Sequence, residues 1–305
     1  VFVGEAPVAK HGVTVLAAHT DSPSLKVKQH GACWKRGYLT VPTETYGSPI
    51  RATWLDQPLG IAGRVIALDG SVNVVELPAQ VVIPNLAIHL NRKVNDGFTY
   101  NEQDHLVAII DAEADKSDSD AEFAMRTMVA GCVVADPSEV ASYELALYDP
   151  TLGATLGLDE RLLTGPRLDN LAGCYTSLQA FLAAESDQTR ILALFDHEEI
   201  GSRSGDGALS DVVLSAVNRL VALQSGDQED CHIAAARSLV VSNDAAHALH
   251  PSFADKYDSH YAPMLGGGPV VKLSGTYRYA TTAVTEASFV AACRDAGVPV
   301  QRLSV

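Results

Sequence analysis

At 305 residues, with 47% hydrophobic and 19% charged residues, the chain is long enough to bury a large core and is no disordered polymer; it suits one catalytic domain carrying a second unit. Its formal net charge of −15 argues against non-specific binding to nucleic acid or anionic lipid, both of which need clustered Lys and Arg, and no apolar run approaches the length of a membrane span. Five cysteines (Cys33, Cys132, Cys174, Cys231, Cys293), scattered and without Cys-x-x-Cys spacing, indicate neither a disulfide framework nor a structural zinc knuckle and fit a reducing, cytoplasmic compartment.

In chain order, Val13 to Ala18 is the first apolar run and predicts a core strand leading straight into His19-Thr20-Asp21. Residues 28–148 change character, with short β-prone pieces and turn signals such as Tyr46-Gly47-Ser48-Pro49 and Asp69-Gly70; they read as an inserted β-rich domain splitting a catalytic domain into 1–27 and 149–305. Within the insert, Ala112 to Glu122 is acidic and Ser-rich and predicts a mobile surface loop with no assigned function. His89 is flanked there by apolar residues and, taken alone, reads as a satisfied structural histidine. Beyond residue 149 strands and helices alternate: helix 170–184, with Leu171, Cys174, Leu178 and Leu182 on one face, strand 190–195, a helix near 207–223, and strand 238–243. The glycine-rich turn Leu265-Gly266-Gly267-Gly268-Pro269 and a helix near 285–295 complete the series. This order predicts a three-layer α/β/α sandwich on a mixed, mostly parallel sheet. The sequence opens at Val1 without an initiator Met and closes within Val298-Pro299-Val300-Gln301-Arg302-Leu303, which resembles a further strand; it reads as truncated at both ends.

Three apolar strands run directly into residues of metal-ligand type. Ile191 to Phe195 leads to Asp196-His197-Glu198-Glu199-Ile200-Gly201-Ser202, where two adjacent carboxylates call for a cation. Val13 to Ala18 leads to His19, and Leu239 to Asn243 leads to Asp244. Strands buried on both faces belong to sheets that bind ligands beyond their carboxyl ends, so these ends are expected to meet in one crevice. His19, Glu199 and Asp244 offer one imidazole and two carboxylates, a set suited to zinc, or to manganese or cobalt. Asp169, just before the helix, is a fourth candidate.

Five segments together carry a family resemblance. His19-Thr20-Asp21-Ser22-Pro23, Arg167-Leu168-Asp169-Asn170, Asp196 to Ser202, Ser242-Asn243-Asp244 followed by Ala246-His247 and His250-Pro251, and Gly268 to Lys272 leading to Arg278-Tyr279-Ala280-Thr281 resemble, in order, the motifs of the aspartyl aminopeptidases. These are co-catalytic zinc exopeptidases. The match extends over nearly the whole sequence; the departures are at the ends, where members usually have several dozen preceding residues and a last metal-binding His beyond position 305.

The resemblance implies two divalent ions, zinc first among them, bridged by Asp169 across a cis Asp169–Asn170 peptide. One ion is completed by His19 and Asp244, the other by Glu199 and the further His. Glu198 is then the candidate general base. Asp21 is two residues after His19, and if the strand continues the two side chains share a face, which places Asp21 to accept the second imidazole N–H. A lone lysine after Val270-Val271 commonly snorkels to solvent, but the resemblance implies that Lys272 and Tyr279 line the pocket for an acidic substrate side chain, the Lys272 ammonium being kept for the substrate and not for a protein group. It further implies that His89 reaches across a dimer contact, that residues 28–148 form the dimer, and that dimers build a homo-oligomer, a dodecamer. The expected function is removal of amino-terminal Asp or Glu from peptides. The alternatives are a related di-metal exopeptidase of other specificity, or an inactive metal-binding assembly module, since the last His ligand lies outside the sequence.

Overall fold

The first apolar run forms the strand Thr14–His19, the middle of a three-stranded parallel sheet flanked by Arg190–Phe195 and Leu239–Ser242. The computed structural model that defines this arrangement describes residues 1–113, 120–133 and 136–304. Register sets the functional edge: His19 lies opposite Phe195 and Ala17 opposite Ser242, so the carboxyl ends of all three strands reach the same side. Val13, Val15 and Ile191 bury against Val8, Val217, Val221 and Ala234, which belong to the helices Val8–His11, Val212–Leu223 and Gln228–Arg237. The last of these helices has no clear apolar period in the sequence; it is set by its first turn, where Asp227 and Asp230 form a capping box.

The helix expected at 170–184 spans Leu168–Ala183, but of its expected buried face only Cys174 is buried. Asn170, Gly173, Cys174 and Ser177 face inward, whereas Leu171, Leu178 and Leu182 are exposed. The reason is local chemistry: the inner face is fixed by polar bonds, from Cys174 Sγ to the His19 carbonyl and from Asn243 Nδ2 to the Gly173 carbonyl and the Thr176 and Ser177 hydroxyls, which outrank hydrophobic periodicity.

The β-prone pieces form a seven-stranded antiparallel sheet of Ser24–Val27, Cys33–Lys35, Tyr38–Tyr46, Leu59–Ala67, Val72–Val81, Val107–Ala112 and Val140–Tyr148. Its core of Leu25, Ile61, Tyr143, Leu145 and Leu147 is closed by Met125 and Val129 of the helix Ala121–Ala130. Of the acidic stretch expected to be a mobile loop, residues 114–119 lie outside the described residues; Ala121 and Glu122 are instead the first turn of that helix, with Ala121 fully buried.

The chain divides into two compact units, Val1–Asn243 and Asp244–Val305. In the second, the strand Val270–Leu273 pairs in parallel with Gln301–Ser304, and the helix Ala283–Asp295 lies between them in sequence. Gly268 is required at its turn: φ is +92°, and a Cβ there would fall 2.1 Å from the Pro299 carbonyl oxygen. Parallel and antiparallel sheets with helices make the architecture mixed α/β. Among the described residues no helix is long and apolar enough to cross a membrane.

Candidate metal centre

His19, the last residue of the central strand, is 4% exposed. Its Nε2 lies 3.4 Å from Asp169 Oδ1 and 4.0 Å from Glu198 Oε2. His19, Glu198 and Glu199 can each offer a ligand atom within 4.8 Å of the others. Asp169 stands in the first turn of the helix, its peptide to Asn170 is cis as expected, and Ser22 donates to its carbonyl at 2.8 Å. Glu198–Ile200 is a single 3₁₀ turn held between two left-handed residues, His197 with φ +62° and Gly201 with φ +98°. Bonds from Ser202 N to the His197 carbonyl (2.7 Å) and between His197 Nδ1 and Ser204 Oγ (2.6 Å) close that loop.

Asp21 organises the cluster. Its side chain is 6% exposed, and its carboxylate accepts from Tyr46 Oη at 2.7 Å and from the backbone amides of Glu198 and Glu199 at 3.1 Å each. Burial alone would raise its pKa; the Tyr46 hydroxyl, the two amides and the charge of His19 outweigh it and hold the carboxyl below its usual value. His19 Nδ1 faces the Asp21 carbonyl at 3.0 Å and its carboxylate at 3.3 Å, so a proton on Nδ1 is retained there while the Nε2 lone pair points toward Asp169 and Glu198. Burial first, and then the neighbouring charges of Glu198 and Asp169, push Glu199 up to about 7. One imidazole nitrogen among mutually repelling carboxylates fits a divalent cation of zinc type, which would offset that repulsion.

In the second unit Lys272, Asp244 and Tyr279 are gathered. Lys272 Nζ donates to Asp244 Oδ2 at 2.5 Å and to the Ala245 carbonyl at 2.7 Å, and sits 5.6 Å from the centre of the Tyr279 ring. The ammonium expected to be kept for the substrate is thus engaged by a protein carboxylate in this structure. At 16% side-chain exposure it is too buried to rely on water, and it takes the nearest carboxylate. His89 stands in an exposed turn at 88–90, among the exposed Leu86, Ile88 and Leu90, and not as a satisfied structural histidine.

Tyr46, His197 and Asn243 take part without having been singled out from the sequence. Tyr46 sits inside what reads as a turn signal. Asn243 was visible only as a companion of Asp244, yet its amide nitrogen donates to the Ala17 carbonyl and its own carbonyl accepts from Asn170 Nδ2, tying the third strand's end to the helix that carries Asp169.

An imidazole and carboxylates gathered where parallel strands end define the class, a metallo-enzyme of α/β architecture. The family model described as "Aminopeptidase I zinc metalloprotease (M18)" matches residues 2–305. A probable M18 family aminopeptidase 2 from Ectopseudomonas mendocina is 38% identical over 99% of this chain and 71% of its own length. The counterpart from Pseudomonas putida KT2440 is 39% identical over the same shares. Among solved structures, Ape4 in complex with Nbr1 superposes with a TM-score of 0.90 at 31% identity, over 99% of this chain and 62% of that one. The S. cerevisiae mApe1 dodecamer gives 0.82 at 25% identity, over 99% and 70%. The chain belongs to the M18 family of zinc metallo-aminopeptidases. It spans about seven-tenths of the length of these bacterial relatives.

Proposed function

We propose that the protein removes amino-terminal Asp or Glu from peptides in the cytoplasm, with two divalent ions, zinc first among them, held by His19, Asp169, Glu199 and Asp244. The observation that carries this reading is the convergence of His19, Asp169, Glu198 and Glu199 on one point, with Asp21 fixing the imidazole behind it. When bound, the ions supply Lewis acidity that polarises the scissile carbonyl and makes water acidic enough to lose a proton near neutral pH. Glu198, the more exposed of the glutamate pair, takes that proton and passes it to the leaving amine. Glu199 and Asp169 hold charge at the centre, and Asp21 keeps the His19 tautomer. The substrate's free amine is read by these acidic groups. Lys272 and Tyr279 read its acidic side chain, the ammonium exchanging part of its bond to Asp244 for the substrate carboxylate. Residues 28–148 act as the dimer-forming domain that presents His89 to a second copy, and dimers assemble further, as in the mApe1 dodecamer.

A related aminopeptidase of broader specificity is the second reading, and the engagement of Lys272 by Asp244 favours it, because a paired ammonium discriminates less by charge. Hydrolysis of a panel of aminoacyl-nitroanilides, with metal content measured alongside, tests both. Preference for Asp and Glu supports the first, and comparable rates on neutral residues support the second.

A further inference from the structure

The Tyr46 hydroxyl donates to the Asp21 carboxylate at 2.7 Å and so joins a side chain of the antiparallel sheet to it. Tyr46 is the last residue of the strand Tyr38–Tyr46, opposite Ser24 in the pairing with Ser24–Val27, so its position is set by that sheet and not by the parallel strand that ends at His19 or the turn that bears Glu198. Its ring is held on two sides: Lys26 Nζ lies 4.8 Å above its centre, and the His197 ring meets it edge-on at 6.2 Å. The next residue touches the centre independently. Gly47 has φ +70°, and a Cβ there would lie 3.0 Å from Glu199 Cβ. The strand's end thus abuts Glu199 through its backbone and Asp21 through a side chain.

We infer that Tyr46 is a positioning residue: its hydroxyl sets the rotation of the Asp21 carboxylate, and through it the orientation of His19 and of the turn bearing Glu198 and Glu199. Without that donor, Oδ2 keeps only the Glu199 amide, and the carboxylate is free to turn away from His19 Nδ1. The hydroxyl then couples the β-rich sheet to the metal centre beside the backbone contact of Gly47 with Glu199. This rests on reading His19 and its neighbours as metal ligands.

Tyr46→Phe tests it, since the ring keeps its place between Lys26 and His197 and loses only the donor. Zinc affinity of metal-stripped protein, measured by competition with a chromogenic chelator, is expected to fall by about 10- to 100-fold, as for loss of an outer-shell partner. In an Asp21→Asn background the same substitution should cost less than about twofold, because the two act in series. Amide hydrogen exchange at Glu198 and Glu199 in the metal-free protein should speed up, a readout independent of metal and of activity. Zinc affinity unchanged in Tyr46→Phe while His19→Ala loses zinc overturns the positioning role, as does an equal penalty in the Asp21→Asn background or unchanged exchange. Unchanged zinc affinity in His19→Ala would instead overturn the metal-centre reading itself.

Discussion

Replacing Asp21 with Asn is the most direct probe of how the site is held. The carboxylate faces four donors: Tyr46 Oη at 2.7 Å, the amides of Glu198 and Glu199 at 3.1 Å, and His19 Nδ1 at 3.3 Å. An asparagine offers one acceptor oxygen and turns an NH₂ toward the other side, so about two of the four donors lose their acceptor. Hydrogen bonds to a charged group contribute roughly 1.5–3 kcal/mol each, but a buried carboxylate also costs desolvation that asparagine avoids; a net loss of about 2–4 kcal/mol follows. The sign with pH can be stated. Asp21's folded pKa lies below its unfolded value, so its stabilisation is present above the unfolded pKa and disappears as pH falls through the folded one. Urea unfolding of metal-stripped wild type and variant should therefore differ most near neutral pH and converge in acid, and zinc affinity should fall by roughly 10- to 100-fold. A variant within about 0.5 kcal/mol of wild type at neutral pH, the range of an inert surface change, would refute the argument that Asp21 organises the centre.

Glu198→Gln should leave zinc content near normal and lower kcat by about 10²- to 10⁴-fold, whereas Glu199→Gln should deplete zinc; metal analysis beside kinetics decides, and equal metal loss in both would abolish the proposed division of labour. Lys272→Met should lower kcat/KM for Asp- and Glu-initiated substrates by about 10- to 150-fold, the equivalent of one charge-assisted hydrogen bond, with Ala-initiated substrates little changed. Equal losses on both would mean that Lys272 serves chiefly to hold Asp244. Gly173→Ala would place a Cβ 2.3 Å from Asn170 Oδ1, so overpacking of about 1–3 kcal/mol should exceed the roughly 1 kcal/mol gained in helix propensity. Thermal unfolding should show lower stability, and a more stable variant with unaltered zinc affinity would remove Gly173 from the account.

What the sequence made legible was the sheet and the residues at its strand ends. Val13 to Ala18, Ile191 to Phe195 and Leu239 to Val241 are predominantly apolar runs, and in a parallel sheet the residues that follow each run lie at the one carboxyl edge. His19 and Glu199 could be read for that reason. Tyr46 could not, because its partner Asp21 is 25 positions away, in the loop between the strands Thr14–His19 and Ser24–Val27; no local pattern marks that bond. The bond from Lys272 to Asp244 was not legible either, because a sequence shows a charge but not the carboxylate nearest to it. The helix Gln228–Arg237 was missed since only Ala234 of it is buried and its stability comes from a cap rather than an apolar stripe.

The helix Leu168–Ala183 illustrates how site chemistry can override the hydrophobic pattern. Helix-to-sheet spacing depends on the side chains at the contact, and Asp169 approaches His19 only because the next turns present Asn170, Gly173, Cys174 and Ser177 inward. Each of these does specific work: Cys174 donates to the His19 carbonyl, Asn170 to the Asn243 carbonyl, and the Gly173 carbonyl and Ser177 hydroxyl accept from Asn243. Leucines on this face would push the helix outward and leave those carbonyls without donors, at about 1–3 kcal/mol for each buried group. Leu171, Leu178 and Leu182, which periodicity assigns to the core, are accordingly left at 43%, 37% and 66% exposure. The polar inner face gives up apolar burial at this helix and in return fixes Asp169 against the strand end that carries His19.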